Sequence, residues 1–353
     1  MREVAGNKRL EWIGIANVCS CISVIYLHCN VVFWSFPKGR LWYTSNFIET
    51  FFYWAVPVFF MISGATLLDY RDRYTTVDFF KRRMLRTMIP FLFWGGFSAF
   101  YRFTVSKWET EGIIDIALGI LNTKYCTIYW FFITLFSLYL SIPLLSLVPK
   151  KSRKTSFLYL SIVAFVFNSL LPLAFELLNW KYNSGLRIPV AENYLIYILL
   201  GYLIANTDIP RKYRLLIYIM GALGWFAHFY GTTVLSFRAG KIATTFKGYT
   251  KAPAILHSIA VMVAFRYIDW NILLKSRGGA LIQWLSKYSL GIYCIHYYLV
   301  MLIPVVFGFD STRILWRVIG PAVIFCLSLI AAIILSKVPA LKRIIVCKKL
   351  MRL

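Results

Sequence analysis

His28 carries the one side chain of the first apolar run that can take up and return a proton near neutral pH. It closes the stretch Asn17-Val18-Cys19-Ser20-Cys21-Ile22-Ser23-Val24-Ile25-Tyr26-Leu27-His28, within a run from Trp12 to Trp34. On a helix, the steps from Asn17 to His28 cover about 16 Å and bring both side chains back within about 20° of one face. An imidazole there is equipped for general-base or nucleophilic chemistry, and an ionisable group inside a membrane-length helix points to function. The plainer alternative is a histidine that hydrogen-bonds a neighbouring helix.

Two other groups could do chemistry. Arg83 and Arg86 are three apart, share a helical face and could clamp a phosphate bidentately, with Arg82 beside them. The alternative there is interfacial anchoring, with Thr75 or Thr76 capping a short helix and Phe79, Phe80, Met84 and Leu85 resting on the membrane. The segment Ser286-Lys287-Tyr288-Ser289-Leu290-Gly291-Ile292-Tyr293-Cys294-Ile295-His296 is unusually polar. A polar face in hydrocarbon must look into the bundle, so His296 is either a second active-site group or a structural hydrogen-bond donor. Ser63, Gly64 and Ala65 are small enough for a backbone or a ligand to come close, after Pro57 has kinked their helix. Tyr129 and Trp130 either line an entrance or belong to an aromatic belt. His228 and His257 have no partner visible in sequence and read as structural.

The elements that must position these groups follow from composition. Of 353 residues, 59% are hydrophobic and 15% charged, well below the roughly 25% charge of soluble domains. Apolar stretches of membrane-crossing length recur. The expectation is an all-α, polytopic membrane bundle of about ten spans, at 12–34, 48–69, 88–106, 128–148, 157–177, 191–206, 215–235, 251–270, 283–306 and 314–336. The connections are short, so residues 1–353 form a single domain, and the first span lacks a cleavage site and is retained. With both termini cytoplasmic, 25 of the 39 basic residues fall on inside segments, 13 on outside ones, and Lys287 within the membrane. That asymmetry is the positive-inside pattern, and it accounts for the net charge of +25 without nucleic acid. The outer loop from Phe237 to Lys251 runs against the trend with four basic residues, a weak hint of an anionic acceptor. The seven cysteines, from Cys19 to Cys347, show no metal-ligand spacing and read as small core residues, and no metal is expected.

Taken together, VPVFFMISG at 56–64, FFKRRMLRTMIPFLFW at 79–94, YWFFITLFSLYLSIPLL at 129–145, NYLIYILLGYLIA at 193–205 and SKYSLGIYCIH at 286–296 resemble the integral-membrane acyltransferase-3 family. That family includes bacterial O-acetyltransferases of cell-envelope glycans. His28 matches the family's first-helix histidine. The arginine the family carries eleven residues earlier is Asn17 here. A carboxamide can hydrogen-bond a thioester, an amide or a hydroxyl, but it supplies no charge. The family's Arg-x-x-Arg pair matches Arg83 and Arg86, which the resemblance implies contact donor phosphates.

The resemblance implies transfer of an acyl group, acetyl foremost, from cytoplasmic acyl-CoA to a hydroxyl of an envelope saccharide or lipid-linked glycan. The setting would be the bacterial inner membrane. His28 would serve as general base or take the acyl group itself. It lies about 24 Å along its helix from Trp12, so a donor held at Arg83 must reach deep into the bundle or pass its acyl group by relay. The alternatives are a carrier that moves an envelope lipid or saccharide without chemistry, and a family member that binds donor but has lost catalysis.

Overall fold

Prolines open several helices of this chain and glycines close the two longest, because proline's missing N–H costs nothing in a first turn and glycine accepts the left-handed backbone of a helix end. A computed structural model describes residues 2–109, 112–308 and 310–346. Cys347 and the rest of the basic tail lie outside the described residues, as do the side chains of residues 2–11. The helices are α1 (Arg2–Cys29), α2 (Arg40–Phe52), α3 (Ala55–Leu67), α4 (Thr76–Arg83), α5 (Ile89–Thr104), α6 (Ile113–Leu121), α7 (Trp130–Leu145) and α8 (Lys150–Phe165). They continue as α9 (Leu171–Leu177), α10 (Leu195–Asn206), α11 (Arg211–Ala239), α12 (Ala252–Tyr267), α13 (Asn271–Lys275), α14 (Arg277–Phe307), α15 (Ile314–Ser336) and α16 (Pro339–Ile345). Pro149 and Pro210 precede α8 and α11, while Gly240 (φ 66°) and Gly308 (φ 61°) end α11 and α14. No strand occurs among the described residues.

Each of the ten expected segments is largely helical, but seven are long and apolar enough to cross a membrane by length and composition. Two of the others, α10 and α12, are apolar but shorter, and α5 has only 16 residues. Apolar side chains cover the outside as well as the core. On α15, Leu315, Ile319, Val323, Leu327, Ile330 and Ile334 are all exposed along one stripe, which suits lipid and not water. The chain is an integral membrane protein.

The largest core cluster centres on α3 and α10 with α1, α7, α8 and α12 around them. A Cβ on Gly64 would stand 2.0 Å from the Ile198 carbonyl oxygen, and one on Gly201 2.0 Å from that of Met61. Only glycine lets these two backbones touch. The small residues after Pro57 thus admit a helix. Pro57 lies in the first turn of α3 and offers no N–H to the Tyr53 carbonyl four residues back, so the expected kink falls at Tyr53–Trp54, between α2 and α3.

Buried cations hold the two ends of the bundle. At one end Arg153, 4% exposed, donates to the carbonyls of Ser146 (2.6 Å) and Val148 (2.7 Å) and to Asp69 Oδ1 (2.7 Å), joining α3, α7 and α8. At the other, Lys247 Nζ meets Glu49 Oε1 at 2.5 Å, both buried, and lies 4.2 Å from the Tyr53 ring centroid. Lys251 pairs with Glu176 at 2.8 Å. Two of the four basic residues in the loop 237–251 are therefore matched by carboxylates within the protein, which weakens the hint of an anionic acceptor.

Candidate active site

The polar positions of α1 and α14 meet along one seam. Asn17 Nδ2 donates to Ser286 Oγ (2.9 Å) and Ser289 Oγ (3.1 Å), Cys21 Sγ approaches the Ser289 carbonyl at 3.9 Å, and His28 Nδ1 lies 2.7 Å from His296 Nε2. The partners are separated in sequence by 269, 272, 268 and 268 residues. A nearly constant offset means that α1 and α14 run parallel and in register. This arrangement satisfies polar groups that would otherwise face hydrocarbon. The Asn17-to-His28 spacing and the ten-residue step from Ser286 to His296 are two halves of the same match.

His28 lies in the last turn of α1 and is half-buried, whereas His296 is fully buried. The Tyr297 ring stands edge-on to His28 at 5.7 Å and 79°. The short turn that leads into α7, Thr127–Tyr129, braces the preceding turn of α14. Tyr293 Oη donates to the Ile128 carbonyl (2.5 Å), and Tyr129 Oη donates to the Cys294 carbonyl (3.1 Å). Tyr129 is only 1% exposed. Trp130 is half-buried against Tyr249, ring centroids 5.7 Å apart. Ser63 Oγ bonds its own helix at the Phe59 carbonyl (3.2 Å). Asn17 lies about three turns below His28, so the seam unites the two residues without putting them in contact. His228, 1% exposed against Tyr53, and His257 stand on α11 and α12, away from the pair.

The arginines occupy the opposite end. Thr75 caps α4, its hydroxyl accepting from the Asp78 N–H at 3.2 Å. The expectation that Phe79 rests on the membrane does not hold: it is fully buried against Tyr70, because the start of α4 folds under the core. Met84 and Leu85 are exposed. A π-helical turn, Met84–Met88, joins α4 to α5, and such wide turns recur at functional sites. Arg82 stacks outward on Tyr74, its guanidinium 4.6 Å from the ring. Arg83 and Arg86 are half-buried. Arg83 lies between the Phe79 and Tyr139 rings (5.8 and 5.7 Å), and its buried Nε has no hydrogen-bond partner in the protein. A buried, unmatched donor atom on a half-buried cation suits an anion.

Sequence reasoning missed the space on the far side of Tyr297 from His28. A cavity of about 390 Å³ between α5 and α14 is lined by Ser98, Arg102, Tyr125, Cys126, Tyr297 and Tyr298 among others, so Tyr297 is both its wall and the edge against His28. No cluster of His, Cys, Asp and Glu able to hold a metal ion occurs among the described residues.

A family model described as an acyltransferase domain, that of acyltransferase-3, matches residues 10–338. The chain belongs to the acyltransferase-3 family. No curated protein and no solved structure matched it. For a member of this family the activity is acyl transfer, and both the seam of α1 with α14 and the arginine turn lie within the matched residues.

Proposed function

We propose that this protein moves an acyl group, acetyl foremost, from acyl-CoA at the cytoplasmic face of the bacterial inner membrane to a hydroxyl of a cell-envelope saccharide or lipid-linked glycan. The observation that carries this reading is the placement of the reactive groups. His28, held by His296 and separated from a cavity by the Tyr297 ring, lies at the end of the bundle opposite the half-buried Arg83 and Arg86.

In this reading Arg83 and Arg86 hold the donor's phosphates, the partnerless Arg83 Nε supplying one of the bonds. The donor supplies an activated acyl carbon as a thioester. His28 takes the proton of the acceptor hydroxyl as its oxygen bonds that carbon and the C–S bond breaks, then returns the proton to the departing sulfur. Such general-base help accounts for about 10²- to 10⁴-fold in rate.

The parallel run of α1 and α14 also supports ten crossings, which put the two termini on the same side of the membrane. Seven strictly alternating spans would set these two antiparallel, since four of the seven lie between them. Adding α5, α10 and α12 makes them parallel, as their register requires.

Purified protein incubated with radiolabelled acetyl-CoA, with and without candidate glycans, tests the reading. Wild type should bind and consume the donor, and Arg83→Ala/Arg86→Ala should lose binding. A folded wild type that binds no acyl-CoA would overturn it and favour a carrier of an envelope lipid or saccharide.

A further inference from the structure

The hydrogen bonds around the two imidazoles fix where each carries its proton. His296 Nδ1 faces two backbone oxygens of its own helix, Tyr293 O at 2.7 Å and Ile292 O at 3.2 Å. A carbonyl oxygen only accepts, so His296 Nδ1 bears the hydrogen. A neutral imidazole has one N–H, which leaves a lone pair on His296 Nε2. The group 2.7 Å from that lone pair, His28 Nδ1, is then the donor. The ring centroids are 5.0 Å apart with 7° between planes. With the short N···N contact, this sets the rings edge to edge near one plane, the lone pair of one along the N–H of the other. His28 therefore carries its proton on Nδ1 and keeps its Nε2 lone pair for reaction.

We infer that His296 is a positioning residue, which locks His28 in the Nδ1–H tautomer and so presents Nε2 as the base for acyl transfer. The inference rests on the acyltransferase reading for the reaction and on the hydrogen-bond geometry alone for the tautomer. His296 does not pass the proton onward, because the carbonyls behind its Nδ1 cannot take one. When His28 gains a proton at Nε2, the bond from its Nδ1–H to His296 strengthens as a charge-assisted one, and the charge stays on His28. The arrangement has the logic of a histidine fixed by the partner of its second nitrogen, with an imidazole in place of a carboxylate. Tyr293, tied to Ile128, and Tyr129, tied to Cys294, hold the backbone turn that sets the His296 ring.

Two substitutions separate positioning from packing. In His296→Gln the side-chain oxygen reaches the place of Nε2 and can accept from His28. In His296→Asn the side-chain amide reaches only the place of Nδ1, so it keeps the local bond to Tyr293 O and leaves His28 without an acceptor. Positioning predicts that His296→Asn loses roughly ten- to a hundredfold in kcat with the donor KM unchanged, a loss of the size seen when the hydrogen-bond partner of a metal-bound histidine is removed, and that His296→Gln recovers most of it. Packing or local capping predicts the reverse order, and that order would overturn the inference. A second readout needs no substrate. In ring-nitrogen-15-labelled protein, with His28 assigned by its own substitution, Nδ1 should be protonated and Nε2 bare, and His296→Asn should shift population toward Nε2–H. A wild-type His28 protonated on Nε2 overturns the tautomer assignment. A wild type that transfers no acyl group but shows Nδ1–H at His28 removes the acyltransferase reading and the role in the reaction, and leaves the tautomer standing.

Discussion

Asn17 stands where the family resemblance leads one to expect a charge, and its carboxamide instead joins α1 to α14 through Ser286 and Ser289. Asn17→Ala removes both donated bonds. It should lower stability by about 1 kcal/mol, the ordinary net worth of such bonds, read as a modest drop in the unfolding midpoint in detergent. Turnover should fall less than in His28→Ala. A loss of turnover equal to that of His28→Ala, with the fold intact, would give Asn17 a part in the chemistry. At this scale the sequence was informative about single residues: His28, His296, Arg83 and Arg86 stand out by type and by the apolar company they keep. Their pairing was not legible, because a contact between residues 268 apart depends on which helices become neighbours. The matching steps of eleven and ten residues were the one available signal.

Among the elements, α3 and α10 carry the most stringent constraint. Gly64→Ala or Gly201→Ala drives a methyl group into the backbone oxygen of the facing helix, 2.0 Å away. Overpacking of this kind costs about 1–3 kcal/mol where neighbours can shift, and a backbone atom cannot yield as a side chain does. Both variants should yield little folded protein by size-exclusion chromatography, while Gly96→Ala, with no atom within 4 Å, should behave as wild type. Normal folding of Gly64→Ala would contradict the close crossing of α3 and α10. Helix positions were legible from apolar runs and from proline and glycine. The π-helical turn at Met84–Met88 was not, since it has the composition of an ordinary helix. Nor was the burial of Phe79, which depends on how α4 meets the core.

Over the whole molecule, the end of the bundle away from the arginines is held by a buried ion pair whose lysine belongs to the loop that charge counting took as a hint of an anionic acceptor. Lys247→Met leaves Glu49 buried without its partner, and breaking such a pair costs about 3–5 kcal/mol. The double variant Glu49→Leu/Lys247→Met should recover much of the lost thermal stability; equal instability of single and double variants would show that the loss comes from the missing pair and not from an uncompensated charge. The parallel run of α1 and α14 predicts that reporters fused to the two termini lie on the same side of the membrane, and opposite sides would contradict ten crossings. Membrane character and family were legible across the entire chain, whereas the number of crossings turns on short helices that composition alone ranks poorly. The central claim is that His28 performs the transfer, and the most direct measurement is acetyl-CoA turnover by purified His28→Ala beside wild type, with donor affinity determined on both. A loss of about a hundredfold or more in kcat with affinity retained is the expected result. Turnover by His28→Ala at the wild-type rate would contradict it.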